Sequence, residues 1–360
     1  MNILGINYYH PDSSACLIKN GELVAAAEEE RFVRIKHFSG FPKNSIKFCL
    51  DYGKIKISEV DYVALNYNPN SNFKEKITYS LKNIFKISTI KKIYNQKNKF
   101  KNKNFLNNYL NQNNFKGEIV NVDHHLSHLY SSYAISKFSK SIGLTIDGFG
   151  DFCSMASYIC EKNDIKLIKK VTFPHSLGIF YQATTQFLGF NNYGDEYKLM
   201  GLASYGKPTY VDLFSKIVNF SEKNYFKLDL SFFKHHIDKD FKYFFENGNP
   251  IFNNLYSDKY VEFFGKPRAK NDPIKQDHMD IACSMQNHFE NIILKILNKL
   301  FEEYKIENLC LSGGCAFNSK LNGIIKKKTK FKNICIQPNA GDGGGSIGAS
   351  LHLNMKKNSI

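Results

Sequence analysis

Short apolar runs separated by turn-rich breaks open the chain. ILGIN (residues 3–7) is followed by the polar loop YYHPDSS, then ACLI (15–18), the pair Asn20-Gly21, and ELVAAAEEE. An Asn-Gly step between two such runs predicts a β-hairpin. The same order returns after residue 140: SIGLTID as a strand, GFGD as a glycine-rich turn, CSMASYIC as a second strand, EKND as a turn and IKLIKKV as a third strand. Two copies of strand, polar loop and hairpin predict an internal duplication whose first loops face one cleft. Between the copies the pattern predicts a helix from about Pro42 to Tyr52, a strand at DYVAL and another at EIVNVD. In the second half Ile281, Met285, Phe289, Ile292, Ile293, Ile296, Leu297 and Leu300 keep helical spacing, which predicts one long helix over Gln276 to Tyr304. Two strand–glycine–helix units close the chain, ENLCLSGGCAFNSKLNG and NICIQPNAGDGGGSIGASLH. Glycine there permits close backbone approach, and the helix that follows offers free N–H groups to an anion. The expected class is α/β, with a nucleotide cleft between duplicated halves.

Composition narrows the picture modestly. At 360 residues with 42% hydrophobic and 14% aromatic positions, the chain can bury a full core as two domains or one duplicated fold. No apolar run approaches the roughly 18 residues of a membrane span. The N-terminus has neither a basic segment nor a long apolar stretch of the secretory type. Eight cysteines are scattered without a CxxC pair, several inside strand-like runs, which fits reduced, buried thiols in a cytoplasmic protein. The net charge of +16 is concentrated: from Lys74 to Lys116 there are eleven lysines against one acid, Glu75. Such a tract could grip phosphates, but a solvated helical excursion accounts for it with less, so nucleic acid is not the expected partner.

The strongest chemical signal is Asp123-His124-His125-Leu126-Ser127-His128, directly after a strand. On a helix His124 and His128 lie one turn apart on one face, roughly 6 Å along the axis, where two imidazoles can share a divalent metal. His125 points about 100° away and would be a poor third ligand, though it could meet a substrate. A histidine-rich helix start without metal is the competing reading. Asp147 ends the strand GLTID and Asp342 lies in AGDGGG, so each would reach a strand-end loop. With them the set would be mixed nitrogen and oxygen, suited to iron, manganese or zinc. A turn former and a helix N-cap explain the two aspartates equally well. In the first loop His10 could act as acid or base beside Ser13 and Ser14. EEERFVRIKH supplies Arg31, Arg34, Lys36 and His37, either as a phosphate clamp or as a salt-bridged helix start. No Gly-x-Ser-x-Gly elbow, Walker A sequence or dinucleotide GxGxxG is present.

Nine blocks in order resemble the carbamoyltransferases typified by the nodulation protein NodU and by antibiotic-tailoring O-carbamoyltransferases. They run through ILGINYYHPDSSACLI, EEERFVRIKHFSGFP, VDHHLSHLYSSY, LTIDGFGD, HSLGIFYQATTQFLGF, GDEYKLMGLASYGKP, FFGKPRAK with HMDIACSMQ, LSGGCAFNSKLNG and PNAGDGGGSIGA. The resemblance implies an ASKHA (actin and sugar-kinase-like) duplicated fold. One lobe would span 1–140, with the Lys/Asn-rich insertion at 71–116, and the other 141–355. It implies transfer of a carbamoyl group from carbamoyl-adenylate, itself made from ATP and carbamoyl phosphate, to a hydroxyl of a sugar or small molecule. The implied metal ligands are His124, His128, Asp147 and Asp342, with iron(II) the expected ion. The implied donor-binding residues are Ser312, Gly313, Gly314, Asn318, Gly343, Gly344, Arg31, Lys36 and Lys198, and the catalytic candidates are His10 and His125.

Family members usually continue into a YrdC-like domain that makes the activated donor, and none follows the GDGGGSIGA block here. The expectation is therefore a transfer domain served by a separate carbamoyl-adenylate synthase, with no membrane contact. Three rivals stay open. A tRNA threonylcarbamoyl transferase would usually carry an acidic-glycine pair between its histidines, where this chain has His125, Leu126 and Ser127. A sugar kinase would not need the histidine pair, and a non-catalytic partner of the missing domain would not need its chemistry.

Overall fold

Two five-stranded sheets with the same topology organise the chain. The computed structural model describes residues 1–82, 96–236 and 243–358, so residues 83–95 of the Lys/Asn-rich tract lie outside it. The first sheet contains β1 (Asn2–Asn7), β2 (Ser14–Lys19), β3 (Glu22–Glu28), β4 (Tyr62–Leu65) and β5 (Glu118–Asn121), in the order β3-β2-β1-β4-β5. The second begins with β6 (Lys140–Gly150), β7 (Cys153–Glu161) and β8 (Asp164–Thr172). Two small hairpins follow, β9 (Val218–Ser221) with β10 (Tyr225–Leu228) and β11 (Tyr243–Glu246) with β12 (Asn249–Phe252). The second sheet is then completed by β13 (Asn308–Ser312) and β14 (Asn333–Ile336), in the order β14-β13-β6-β7-β8. In each sheet the first strand is central, its hairpin lies antiparallel on one side, and two later strands lie parallel on the other. The repeat seen in the hydrophobic pattern is thus a repeat of topology.

Local chemistry explains the hairpin of the first sheet. Asn20 and Gly21 both take positive φ, 53° and 88°, the pair that a tight hairpin turn of matching twist requires. Strand β1 is apolar on both faces because both are covered. One meets the helix Lys43–Gly53 through Ile46 and Cys49, and the other meets the C-terminal helix Gly345–Lys357 through Ala349 and Leu353. That helix crosses the helix His124–Ser136 so closely that a Cβ on Gly348 would stand 1.7 Å from the carbonyl oxygen of Ser127. Leu129 and Tyr133 of the same His124–Ser136 helix pack on Cys160 and Cys310 of the second sheet. Both helices therefore lie between the sheets, and the C-terminal one packs on β1, β2 and β4. A division at residue 140 assigns this helix to the second half. Its apolar face instead buries against the first.

The Lys/Asn-rich insertion also departs in part from expectation. Helix Phe73–Lys82 has no buried residue, as a solvated excursion would. In helix Gln96–Gln112, by contrast, Leu106 and Leu110 are 1% exposed and join the core beside Ile46 and Cys49. Phe105 and Tyr109 set their rings 5.0 and 4.9 Å from that of Phe41. The scarcity of apolar letters hid a narrow but real packing face. The long helix Gln276–Tyr304 runs over the residues expected and supplies Ile281 through Leu300 to the core of the second half.

The turn after β6 decides where the site lies. GFGD was expected as the turn, yet β6 runs on to Gly150, and the tip is Asp151-Phe152 with φ of 50° and 72°. Pairing with β7 is irregular between Ile146 and Gly150, a bulge that lifts Asp147 out of the ladder.

Candidate metal centre and interlobe cavity

Asp123 starts the helix that carries the histidines. Its Oδ1 accepts from the N–H of Leu126 at 3.1 Å, so helical geometry begins at His124. One turn apart, His124 and His128 bring their rings to 4.5 Å between centroids and their Nε2 atoms to 3.0 Å. The bulge in β6 delivers Asp147, whose Oδ2 lies 3.0 Å from His124 Nε2 and 3.3 Å from His128 Nε2. Asp147 is fixed from behind, its Oδ1 accepting from the N–H of Gly314 at 3.2 Å. The loop after β14 delivers Asp342, with Oδ1 3.4 Å from both Nε2 atoms. All four side chains are buried, and one atom of each lies within 4.8 Å of the others.

These separations match a coordination shell. Ligand bonds of about 2.1 Å put neighbouring donors about 3.0 Å apart at right angles and about 3.4 Å apart in a tetrahedron. Hydrogen bonding alone satisfies the group poorly, because Asp342 Oδ1 is buried without a hydrogen-bond partner. A buried carboxylate oxygen with no donor calls for a cation. The electrostatics agree. Burial pushes the His128 imidazole down, but the facing carboxylates of Asp147 and Asp342 outweigh it and hold the pKa at about 10. Burial likewise opposes ionisation of Asp147 and Asp342, yet the facing histidines keep both carboxyls below their usual range. Two ionised carboxylates and two imidazoles in one buried pocket form a donor set that fits a divalent ion.

A cavity of about 570 Å³ opens beside the cluster, with Asp147 and Asp342 in its wall. His10 lines it, one-third exposed, with Nδ1 2.8 Å from Asp342 Oδ2. The contact is close but off-axis for a hydrogen bond. Burial lowers the His10 pKa and Asp342 raises it further, for a net rise. Lys36 reaches the cavity with its ammonium 5.0 Å from the centre of the Tyr197 ring. Lys198 stands 5.8 Å from the same ring and pairs with Asp195 at 2.7 Å. Gly314 and Asn318 line the cavity too. Asn318 is held by Gln286, each amide donating to the other at 2.9 Å, and Gln286 also accepts from Tyr181 Oη at 2.7 Å.

Other expected residues stand elsewhere. Arg31 is largely exposed and pairs with Glu28 and Glu30, while Lys36 and His37 of the same stretch line the cavity. His125 is 1% exposed, and its Nδ1 meets Thr145 Oγ1 at 2.7 Å, away from the cavity wall. Ser312 is fully buried at the end of β13. Gly313, at φ 90°, lets its loop pass the Ile146 carbonyl, which a Cβ would approach to 2.2 Å. Gly343 gives its carbonyl to Ser14 Oγ at 2.7 Å, and Gly344 donates its N–H to Gly341.

The sequence did not single out Asp12, which lines the cavity joined at 2.7 Å to His37, nor Gln182 and Glu196, which line it too. It also passed over Gly150, where a Cβ would stand 1.9 Å from His124 Cδ2. The second glycine of GFGD was the available signal for that close approach.

A family model described as the carbamoyltransferase N-terminus matches residues 2–351. The chain is 35% identical over 363 aligned positions to an uncharacterized protein of Synechocystis sp., covering 98% of this chain and 57% of that one. It is 32% identical to the nodulation protein NolNO of Sinorhizobium fredii, covering 97% of this chain and 47% of the relative. The chain thus spans about half the length of the curated relatives it matches. Among solved structures, component A of the (R)-2-hydroxyglutaryl-CoA dehydratase of Acidaminococcus fermentans superposes with a TM-score of 0.50 at 13% identity, covering 100% of both chains. At that identity the likeness shows the fold alone.

Proposed function

The chain belongs to the carbamoyltransferase N-terminus family, and from that premise we propose that it is the transfer domain of an O-carbamoyltransferase. Its donor is carbamoyl-adenylate and its acceptor a hydroxyl of a sugar or small molecule. The observation that carries the reading is the convergence of His124, His128, Asp147 and Asp342 at the wall of a cavity large enough for a ligand. These four side chains would hold a divalent ion, iron(II) in our reading. When bound, such an ion supplies Lewis-acid polarisation of a carbonyl or phosphoryl oxygen.

The protein's own groups define the rest of the reaction. The acceptor oxygen attacks the carbamoyl carbon, a new C–O bond forms, the bond to the phosphate oxygen breaks and AMP leaves. His10 opens to the cavity while leaning on Asp342, and it takes the hydroxyl proton. Lys36, which lines the cavity, supplies positive charge beside Tyr197 for the donor's phosphate, and Lys198, tied to Asp195 near the same ring, adds to it from outside the lining. Asn318, locked by Gln286, offers a fixed polar contact. Ser312, Gly343 and Gly344 belong to the two loops that bring Gly314 and Asp342 to the cavity, where their backbone meets the donor. A YrdC-like synthase supplies the donor in this reading.

The test couples the purified chain to a separate enzyme that makes carbamoyl-adenylate from ATP and carbamoyl phosphate, with a library of hydroxyl acceptors read by mass spectrometry. Transfer that is lost on replacing His124 and His128 together by alanine supports the reading. Transfer unaffected by that change removes the metal's role, and no transfer to any acceptor with no acceleration of AMP release refutes the function.

A further inference from the structure

One hairpin of the second half holds His124 in three ways. Asp147 Oδ2 meets its ring nitrogen at 3.0 Å, and Gly150 leaves space for the ring. At the tip, Asp151 Oδ2 accepts from the backbone N–H of His124 at 2.9 Å. The same oxygen accepts from the N–H of Asn68 at 2.9 Å, in the loop that follows β4. The Asp151 carbonyl takes a further bond from Asn72 Nδ2 at 2.9 Å. One side chain from the second half therefore ties two loops of the first half at the point where the metal-binding helix begins.

The backbone at this tip is a tight two-residue turn between the paired Gly150 and Cys153, with the positive φ at both Asp151 and Phe152 that such a hairpin requires. A second feature separates Asp151 from an ordinary helix cap. Asp123 already caps this helix through Leu126, so helix formation does not depend on Asp151. What Asp151 adds is a fixed position for the main chain of His124 relative to the bulge that carries Asp147.

We propose that Asp151 is a positioning residue for the metal centre: it sets the His124–Asp147 geometry and couples contact between the halves to ion binding. This rests on the metal reading of the site. Residues that orient a ligand from outside the coordination shell typically change affinity by about 10- to 100-fold when removed. An effect of that size is expected from Asp151→Ala and from Asp151→Ser, neither of which can reach both N–H groups. Asp151→Asn keeps an oxygen acceptor in place and should stay within about threefold of the unaltered protein.

The measurement is affinity for cobalt(II) and iron(II) by chelator competition, with the visible spectrum of the cobalt form and the thermal midpoint of the metal-free form recorded for each variant. A merely structural role would lower the midpoint and leave the cobalt spectrum unmoved. The proposal expects weaker binding and a shifted spectrum in Asp151→Ala and Asp151→Ser, with recovery in Asp151→Asn. Should Asp151→Ala fail to fold, Asp151→Ser carries the comparison. Affinity within about twofold and an unchanged spectrum in either loss variant overturn the assignment while leaving the metal centre standing. If the unaltered protein binds neither ion, the metal reading falls first and this inference falls with it.

Discussion

Replacing Gly150 by alanine should damage the metal centre with little change to the rest of the fold. The added Cβ would stand 1.9 Å from His124 Cδ2, 2.1 Å from Cγ and 2.4 Å from Nε2. Ordinary carbon contacts begin at about 3.5 Å, so ring and strand must separate by roughly 1.5 Å. Metal–ligand distances tolerate about 0.2 Å, so His124 cannot keep its place in the set. The expected loss is about 100-fold in cobalt(II) or iron(II) affinity, with about 1–3 kcal/mol of stability from overpacking. Gly148 lies in the same bulge, and a Cβ there would meet nothing within 4 Å. Gly148→Ala therefore serves as the matched control and should bind metal within about threefold of the unaltered protein. Affinity by chelator competition and urea unfolding of the metal-free forms make the comparison. Equal affinities for the two alanine variants would refute the claim that the close approach at Gly150 sets the ring of His124.

Three further outcomes are expected. Glu29, 1% exposed, accepts from the backbone N–H groups of Asn44 and Ser45 and from both their side chains. Glu29→Ala should cost about 3 kcal/mol in urea unfolding by orphaning those donors, and a loss under about 1 kcal/mol would contradict it. Leu106→Ala should cost about 2–3 kcal/mol because the residue is buried at 1% exposure, whereas Leu81→Ala, 64% exposed, should stay within about 0.5 kcal/mol. Equal effects would show that the end of the insertion is not packed. Burial, with Lys356 nearby, lowers the His352 pKa from 6.5 to about 4. Between those values the unfolded chain binds the extra proton, so stability falls as pH drops, by about 2 kcal/mol from pH 7 to 5. His352→Gln should flatten that decline in thermal midpoint against pH, and an unchanged slope would sink the assignment.

How much of this was legible from residues alone depended on range. The hairpin at Asn20-Gly21 and the long helix Gln276–Tyr304 follow from turn chemistry and spacing that act within a few residues. The histidine pair was legible for the same reason, since one helical turn fixes its spacing. Asp147 and Asp342 stood out as strand-end carboxylates, but their meeting depends on two sheets packing across a shared pair of helices. The bulge between Ile146 and Gly150 left no mark in the alternation of apolar residues. Asp12 and His37 are 25 positions apart and Tyr181 and Gln286 are 105, so no periodicity could join them. Which sheet covers the C-terminal helix was not legible, because its buried face looks the same in either place.

The most direct test is the coordination of a metal in the purified protein. Elemental analysis should find one divalent transition-metal ion per chain after loading with iron(II), and X-ray absorption should show two imidazole nitrogens among oxygen ligands with no sulfur. Both signals should vanish when His128 and Asp147 are replaced by alanine. Failure to hold iron(II), manganese(II) or zinc(II), or an ion that survives that double replacement, would contradict the assignment of His124, His128, Asp147 and Asp342 as a metal centre.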